Sequence, residues 1–192
     1  MNFATIKKFD VANGPGVRVS LFVSGCNHRC KGCFNAEAWD FDYGEKYTDK
    51  TEEEILAALD HGFISGLSLL GGEPFDPKNQ PCVASLLKKV KERYPQKDVW
   101  CYTGYTFDKD LVKGGAAYTE YTDGMVSRID VLVDGKFVEE QKDVKLRFRG
   151  SSNQRIIDVK RSLEEGRVRL WLDGGIGGSY YTDEDLAKGK KV

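Results

Sequence analysis

No stretch of this 192-residue chain approaches the ~20 consecutive apolar residues that span a bilayer, so its pattern offers no membrane-crossing helix. No secretory leader is expected either. Residues 1–10 are short, mixed and charged, and cytoplasm is the expected compartment. Charge of one sign is absent too. The 29 basic and 30 acidic side chains leave a formal net charge of -1, which gives no general attraction for nucleic acid or a membrane surface. Lys88, Lys89, Lys91 and Arg93 make a local basic run, read as the solvated face of a helix. There is no internal repeat and no low-complexity linker, and a hydrophobic content of 40% is enough for one sizeable core. A single domain over 1–192 is expected, with 173–192 a flexible Gly-rich and basic tail. No Ser-His-Asp set and no paired carboxylate stands out, so the chain shows no hydrolytic machinery of its own.

What the chain does have is a cysteine cluster. Cys26-Asn27-His28-Arg29-Cys30-Lys31-Gly32-Cys33 has the spacing C-x3-C-x2-C and follows an apolar, β-like run. The total of five cysteines is odd, and they are clustered rather than spread as a disulfide framework. Thiolate-rich sites favour zinc or iron–sulfur clusters. Structural zinc sites close with four ligands, which here would recruit His28, placed where it strains a tetrahedron. The four-cysteine ferredoxin pattern is absent. Three cysteines can hold three corners of a 4Fe-4S cube and leave the fourth iron open to another ligand. Buried apolar thiols are the plainer alternative, and the polar loop around them counts against it. Cys82 and Cys101 stand apart and read as incidental or buried thiols.

Strand and helix signals alternate along the chain. Strands are expected at Val17–Val23, 66–70, 99–102 and 129–133, and a last one at 168–172. Helices are expected from a capping box at Thr51 to about His61, over 81–94 until Pro95, over a short stretch at 106–113, and over 156–165 until Gly166. Residues 174–178 read as a turn or loop. Repeated strand–helix units imply an α/β fold with a parallel sheet, whose ligands sit at the carboxyl ends of the strands. The cysteine loop, Gly71-Gly72-Glu73-Pro74, Thr103-Gly104-Tyr105 and Asp134-Gly135 each follow a strand, so all four fall on one rim. The chain is short for a full barrel of ~250 residues, and a partial, open β/α barrel is expected.

The cysteine loop resembles the signature of the radical S-adenosylmethionine superfamily, and Gly71-Gly72-Glu73-Pro74 resembles its second motif. Other segments are more particular. Tyr102-Thr103-Gly104-Tyr105, Val131 to Phe137 and Arg149-Gly150-Ser151-Ser152-Asn153-Gln154 resemble the family that activates anaerobic ribonucleoside-triphosphate reductases, which Asn13-Gly14-Pro15-Gly16-Val17-Arg18 and Cys33-Phe34-Asn35 also resemble. The resemblance covers residues 13–158. It implies that Cys26, Cys30 and Cys33 hold a 4Fe-4S cluster whose open iron binds the methionyl end of S-adenosylmethionine. Reductive cleavage then yields a 5′-deoxyadenosyl radical, which takes a hydrogen atom from one glycine of the glycyl-radical subunit. A flavodoxin-like protein is the implied electron donor.

The cofactor carries this chemistry and the protein positions it, so no catalytic side chain beyond cluster and cofactor is expected. Gly71 and Gly72 lack Cβ and let backbone approach the cofactor, and Glu73 adds a carboxylate or holds the turn. The resemblance places Gly32, Cys33 and Phe34 at the adenine, with Phe34 as a stacking surface and core packing as the rival reading. His28 reads as an exposed loop residue and His61 as a helix-end contact. Trp39, Trp100 and Trp171 read as core. Tyr102 and Tyr105 line the cavity or pack. Arg147, Arg149 and Asn153 are candidates for docking the partner's glycine loop. An activase of another glycyl-radical enzyme, such as pyruvate formate-lyase, and a non-enzymatic iron–sulfur electron carrier are the competing readings.

Overall fold

The computed structural model describes residues 1–171. The tail 173–192, the turn at 174–178 and the end of the expected last strand lie outside the described residues. In chain order the elements are β1 (Asn2–Asp10), β2 (Val17–Val23), β3 (Glu45–Lys46), α1 (Asp49–Leu59), β4 (Ile64–Gly71), α2 (Gln80–Arg93), β5 (Asp98–Tyr102), α3 (Thr122–Val126), β6 (Val131–Asp134), β7 (Arg155–Asp158) and α4 (Val159–Glu165). They build one seven-stranded sheet in the order β3-β1-β2-β4-β5-β6-β7. Its centre, β2-β4-β5-β6, is parallel, whereas β1, β3 and β7 pair antiparallel. Among the described residues no helix is long and apolar enough to cross a membrane.

The period of two along each strand sorts side chains onto two faces. Val19, Leu21, Leu67, Leu69, Val99, Cys101 and Leu132 join Ile55, Leu59, Leu86, Leu87 and Val90 of α1 and α2 in the main core. Trp100, Val131, Val133 and Ile156 form a second cluster, with Tyr102, Phe148 and Trp171 against it. Truncating a wholly buried leucine such as Leu69 to alanine costs about 2–5 kcal/mol. The second face also buries a charge. Arg18 is 0% exposed. It donates to Ser68 Oγ at 2.7 Å and to the Leu67 carbonyl at 2.9 Å, pairs with Asp98 at 2.6 Å, and lies 5.8 Å from the centre of the Trp100 ring. The basic run of α2 is neutralised, not free: Lys89 pairs with Glu52, Lys91 with Asp130 at 2.6 Å, and Arg93 with Glu53 at 3.5 Å.

Several expectations need correction. β1 occupies the stretch expected only as a charged opening: Lys7 and Lys8 are exposed and no apolar run marks it. α1 is capped three residues earlier than expected: Thr48 accepts from the Thr51 N–H, and Thr51 closes the box in return. Residues 106–113 hold turns rather than a helix; one i→i+4 bond forms, from the Asp110 N–H to the Thr106 carbonyl, and it is not continued. A short helix appears instead at α3. The expected helix over 156–165 splits at Asp158, which ends β7 and caps α4 by accepting from the Arg161 N–H. Ile156-Ile157 is an apolar pair too short to show a period, and β7 is antiparallel to β6. The expected strand at 168–172 is represented by one bridge, Ile157 to Leu170.

Candidate functional site

The carboxyl ends of β2, β4, β5 and β6 meet at one rim, as expected for a parallel sheet. A cavity of about 420 Å³ opens there, lined by Cys26, Cys30, Gly32, Cys33 and Phe34 from the loop after β2. Gly71 ends β4 on its wall, with Gly72 and Glu73 after it; Thr103 and Gly104 follow β5, and Gly135 follows β6. Every residue assigned to cluster or cofactor from the sequence therefore borders one space.

The cysteine loop has no regular structure, so its shape is set by side chains and by backbone borrowed from elsewhere. The Gly25 N–H donates to the Ala38 carbonyl at 2.8 Å and the Cys26 N–H to the Trp39 carbonyl at 3.1 Å. Asn27 donates to Asp76 at 2.8 Å. Asn79, 1% exposed, stands at the N-cap of α2 but does not cap it. Its amide donates to the Ser24 carbonyl at 3.0 Å and the Glu73 carbonyl at 2.9 Å. The start of α2 thus clamps the cysteine loop. Neither Asp76 nor Asn79 was singled out from the sequence. The available signal was a pair of buried Asx residues between the glycine turn and a helix, a place where such side chains usually bond locally.

The glycine pair is packed against protein as well as facing the cavity. A Cβ on Gly72 would lie 2.6 Å from the Gly25 carbonyl oxygen and 2.9 Å from that of Ala38. The Gly72 N–H donates to the Val23 carbonyl at 2.6 Å and the Glu73 N–H to that of Gly25 at 2.9 Å. Glycine is required here because turn and cysteine loop touch backbone to backbone.

Glu73 is 1% exposed and its carboxylate takes four donors. Oε1 accepts from Thr103 Oγ1 at 2.7 Å and the Phe75 N–H at 2.9 Å; Oε2 accepts from the Gly104 N–H at 2.8 Å and His28 Nε2 at 3.0 Å. Glu73 holds the turn, and its oxygens point to protein. His28 is correspondingly not an exposed loop residue: its side chain is 8% exposed, and its ring packs edge-on to Tyr105 at 4.4 Å.

All five cysteines are free. Burial pushes the Cys26 thiol up to about 11, and nearby Glu73 adds to the shift. Burial also raises Cys30. Among the described residues no three His, Cys, Asp or Glu side chains converge on one metal ion. His28 Nε2, the fourth ligand of the zinc reading, is committed to Glu73. The donor set and the cavity beside it fit a 4Fe-4S cluster. Cys101 is wholly buried on the helix side, its thiol pushed well up by desolvation, and Cys82 lies beside the N-terminal amine.

Phe34 is 87% exposed, which rules out core packing and leaves its ring at the cavity edge. Trp39 also lines the cavity, whereas Trp100 is core and Trp171 packs edge-on to it at 4.9 Å. Tyr102 lines the cavity, and among the described residues its buried hydroxyl has no hydrogen-bond partner. Tyr105 packs on His28. His61 stacks on Phe63 at 5.5 Å instead of closing a helix. Arg149 borders the cavity and donates to the Gln154 carbonyl at 2.7 Å. Asn153 donates to the Lys136 carbonyl, and Arg147 lies over Phe148. The long connection between β6 and β7 supplies wall residues that sequence reasoning passed over, Leu146 and Phe148 among them. Phe148 adopts φ 56°, uncommon for a bulky residue.

A family model described as a 4Fe-4S single cluster domain matches residues 12–157. The chain is 45% identical over 156 residues to the anaerobic ribonucleoside-triphosphate reductase-activating protein of Vibrio cholerae serotype O1, covering 80% of this chain and 96% of that protein. The protein of the same name from Escherichia coli (strain K12) is 42% identical over 156 residues, with 80% and 96% covered. That of Enterobacteria phage T4 is 40% identical over 158 residues, with 81% and 93% covered. Cysteine loop, glycine turn and rim all fall inside the matched span, and the chain belongs to the family of anaerobic ribonucleoside-triphosphate reductase-activating proteins.

Proposed function

We propose that this chain activates an anaerobic ribonucleoside-triphosphate reductase by installing a glycyl radical on it, using a 4Fe-4S cluster and S-adenosylmethionine. The observation that carries the reading is the single cavity bordered by Cys26, Cys30, Cys33, Gly71 and Gly72. Bound together, cluster and cofactor supply one-electron chemistry that ends in removal of a hydrogen atom from a glycine α-carbon, with electrons from a flavodoxin-like donor.

The chain's own residues hold and orient. The three cysteines are the cluster ligands, and the backbone of Gly71 and Gly72 receives the methionyl amine. Gly32, Cys33 and Phe34 flank the adenine, and Phe34, exposed at the edge, offers its ring. Glu73 fixes the turn. The apolar wall of Trp39, Phe137, Leu146 and Phe148 keeps water from a reactive centre. A partial β/α barrel of the radical S-adenosylmethionine type is the fold reading that goes with this function. Four parallel strands with the site at their carboxyl ends support it.

The test is anaerobic reconstitution with iron and sulfide, reduction, and addition of S-adenosylmethionine with and without the reductase. The expected result is 5′-deoxyadenosine in wild type and none in Cys30→Ala, with a glycyl-radical signal on the reductase. An intact cluster that yields neither product nor radical with the reductase present would sink the proposal.

A further inference from the structure

The Glu73 carboxylate collects donors from three separate segments of the rim: the cysteine loop through His28, its own turn through Phe75, and the β5 loop through Thr103 and Gly104. His28 is the member that comes from between the cluster ligands. Its ring is seated on both sides. Tyr105 packs edge-on at 4.4 Å, and a Cβ on Gly104 would stand 2.4 Å from His28 Cδ2, so only glycine leaves room for the imidazole. Nε2 lies 3.0 Å from Glu73 Oε2. Facing a carboxylate, it is the nitrogen that carries the proton.

We propose that His28 and Glu73 form a positioning couple that fixes the cysteine loop against the Gly71-Gly72 turn, so that cluster and methionyl end are presented at one spacing. The inference rests on the cofactor reading above. A ligand that spans cluster and turn needs both held in one geometry before it arrives, and each ångström of play between them weakens the bridge. The backbone contacts at Gly72 and Glu73 fix the base of the loop near Gly25. They do not reach the segment between Cys26 and Cys30, and His28 does. Neither residue touches the reacting atoms. Their effect passes through the loop and the turn.

The experiment uses the full chain, reconstituted anaerobically, with His28→Ala, His28→Gln, Glu73→Gln and the double variant His28→Ala/Glu73→Gln. Iron and sulfide content, calorimetric binding of S-adenosylmethionine, and the electron paramagnetic resonance spectrum of the reduced cluster before and after the cofactor are measured. The expected result for His28→Ala is a normal iron content with affinity for the cofactor lower by about tenfold to a hundredfold, the size of a lost hydrogen bond to a charged group. The cofactor-induced change in the spectrum weakens with it. His28→Gln, which can place an amide donor near the Nε2 position, recovers most of the loss. The double variant is no weaker than the weaker single one, because the two residues act as a pair. Unchanged affinity in His28→Ala overturns the proposal. So does iron lost in step with affinity, which would make His28 a folding residue of the loop. If wild type carries a cluster and binds no cofactor, the underlying reading fails first, and that outcome is distinct from both.

Discussion

Two glycines give opposite predictions for the same substitution. At Gly72 a Cβ meets the Gly25 and Ala38 carbonyl oxygens at 2.6 and 2.9 Å. Both are backbone atoms in a buried loop, and neither can swing away as a side-chain tip would. Accommodating a methyl there means moving the cysteine loop off the glycine turn. Overpacking of this kind costs about 1–3 kcal/mol, or about 2–12 °C in melting temperature for a domain of this size. At Gly62 a Cβ meets nothing within 4 Å, and its φ lies outside the left-handed region. Gly62→Ala should therefore stabilise by about 0.4–1 kcal/mol, through lower entropy of the unfolded chain. The assay is thermal unfolding of the two apoproteins beside wild type, followed by iron content after reconstitution. Gly72→Ala should melt lower and take up less iron. Gly62→Ala should melt slightly higher and load normally. A Gly72→Ala protein that melts and loads like wild type would refute the backbone-to-backbone account of the turn.

Replacing Cys26, Cys30 or Cys33 singly by alanine should abolish the cluster chromophore, whereas Cys82→Ala and Cys101→Ala should keep it; absorbance and iron content decide. Arg18→Ala removes a wholly buried guanidinium, takes a donor from the Leu67 carbonyl and leaves Asp98 without its ion-pair partner. The expected cost is about 1–3 kcal/mol, read by urea unfolding of the apoprotein, and no measurable loss would contradict the assigned role. Asp10 supplies the pH prediction. Burial pushes its carboxyl up, but donors from Ser20, the Ala12 N–H and Asn13 outweigh it, and the net shift is downward from 3.8. A lowered folded pKa contributes stability above the unfolded value and loses it as pH falls through the folded one. Wild type should lose stability below about pH 4, and Asp10→Asn should show a smaller loss over the same range; equal acid losses in both would rule Asp10 out as the source.

The rim was legible because each of its four segments is marked by residues with few ordinary uses in a row: three close cysteines, two adjacent glycines, a Thr-Gly and an Asp-Gly after apolar runs. The central strands were legible for the same reason that they are parallel. Buried on both faces, Val17–Val23 and Ile64–Gly71 keep apolar cores, Leu21-Phe22-Val23 and Leu69-Leu70, that stand out in the sequence. β1 and β7 were missed because they lie towards the ends of the sheet. β1 shows lysines to solvent, and β7 is four residues long and runs straight into a helix. His28 was misjudged because its partner is 45 residues away. No local pattern says that a carboxylate in the glycine turn reaches back to it.

Cys26 ties the energetics of the loop to its purpose. Its backbone is held at Trp39, the residue is 7% exposed, and burial raises its thiol to about 11. A thiol in that state stays protonated at neutral pH and is a poor nucleophile. Under the proposed cluster reading, iron displaces that proton and supplies the positive charge that a buried thiolate lacks. The polar clamps around it, Asn79 on Ser24 and Glu73, Asn27 on Asp76 and His28 on Glu73, bind the loop to α2 and to the turn rather than to metal. Such clamps hold the ligand loop in place before the cluster arrives. The apoprotein should accordingly keep a folded loop, with the Gly72 and Glu73 amides protected from hydrogen exchange; rapid exchange at both, slowed only by the cluster, would show that the metal builds the site.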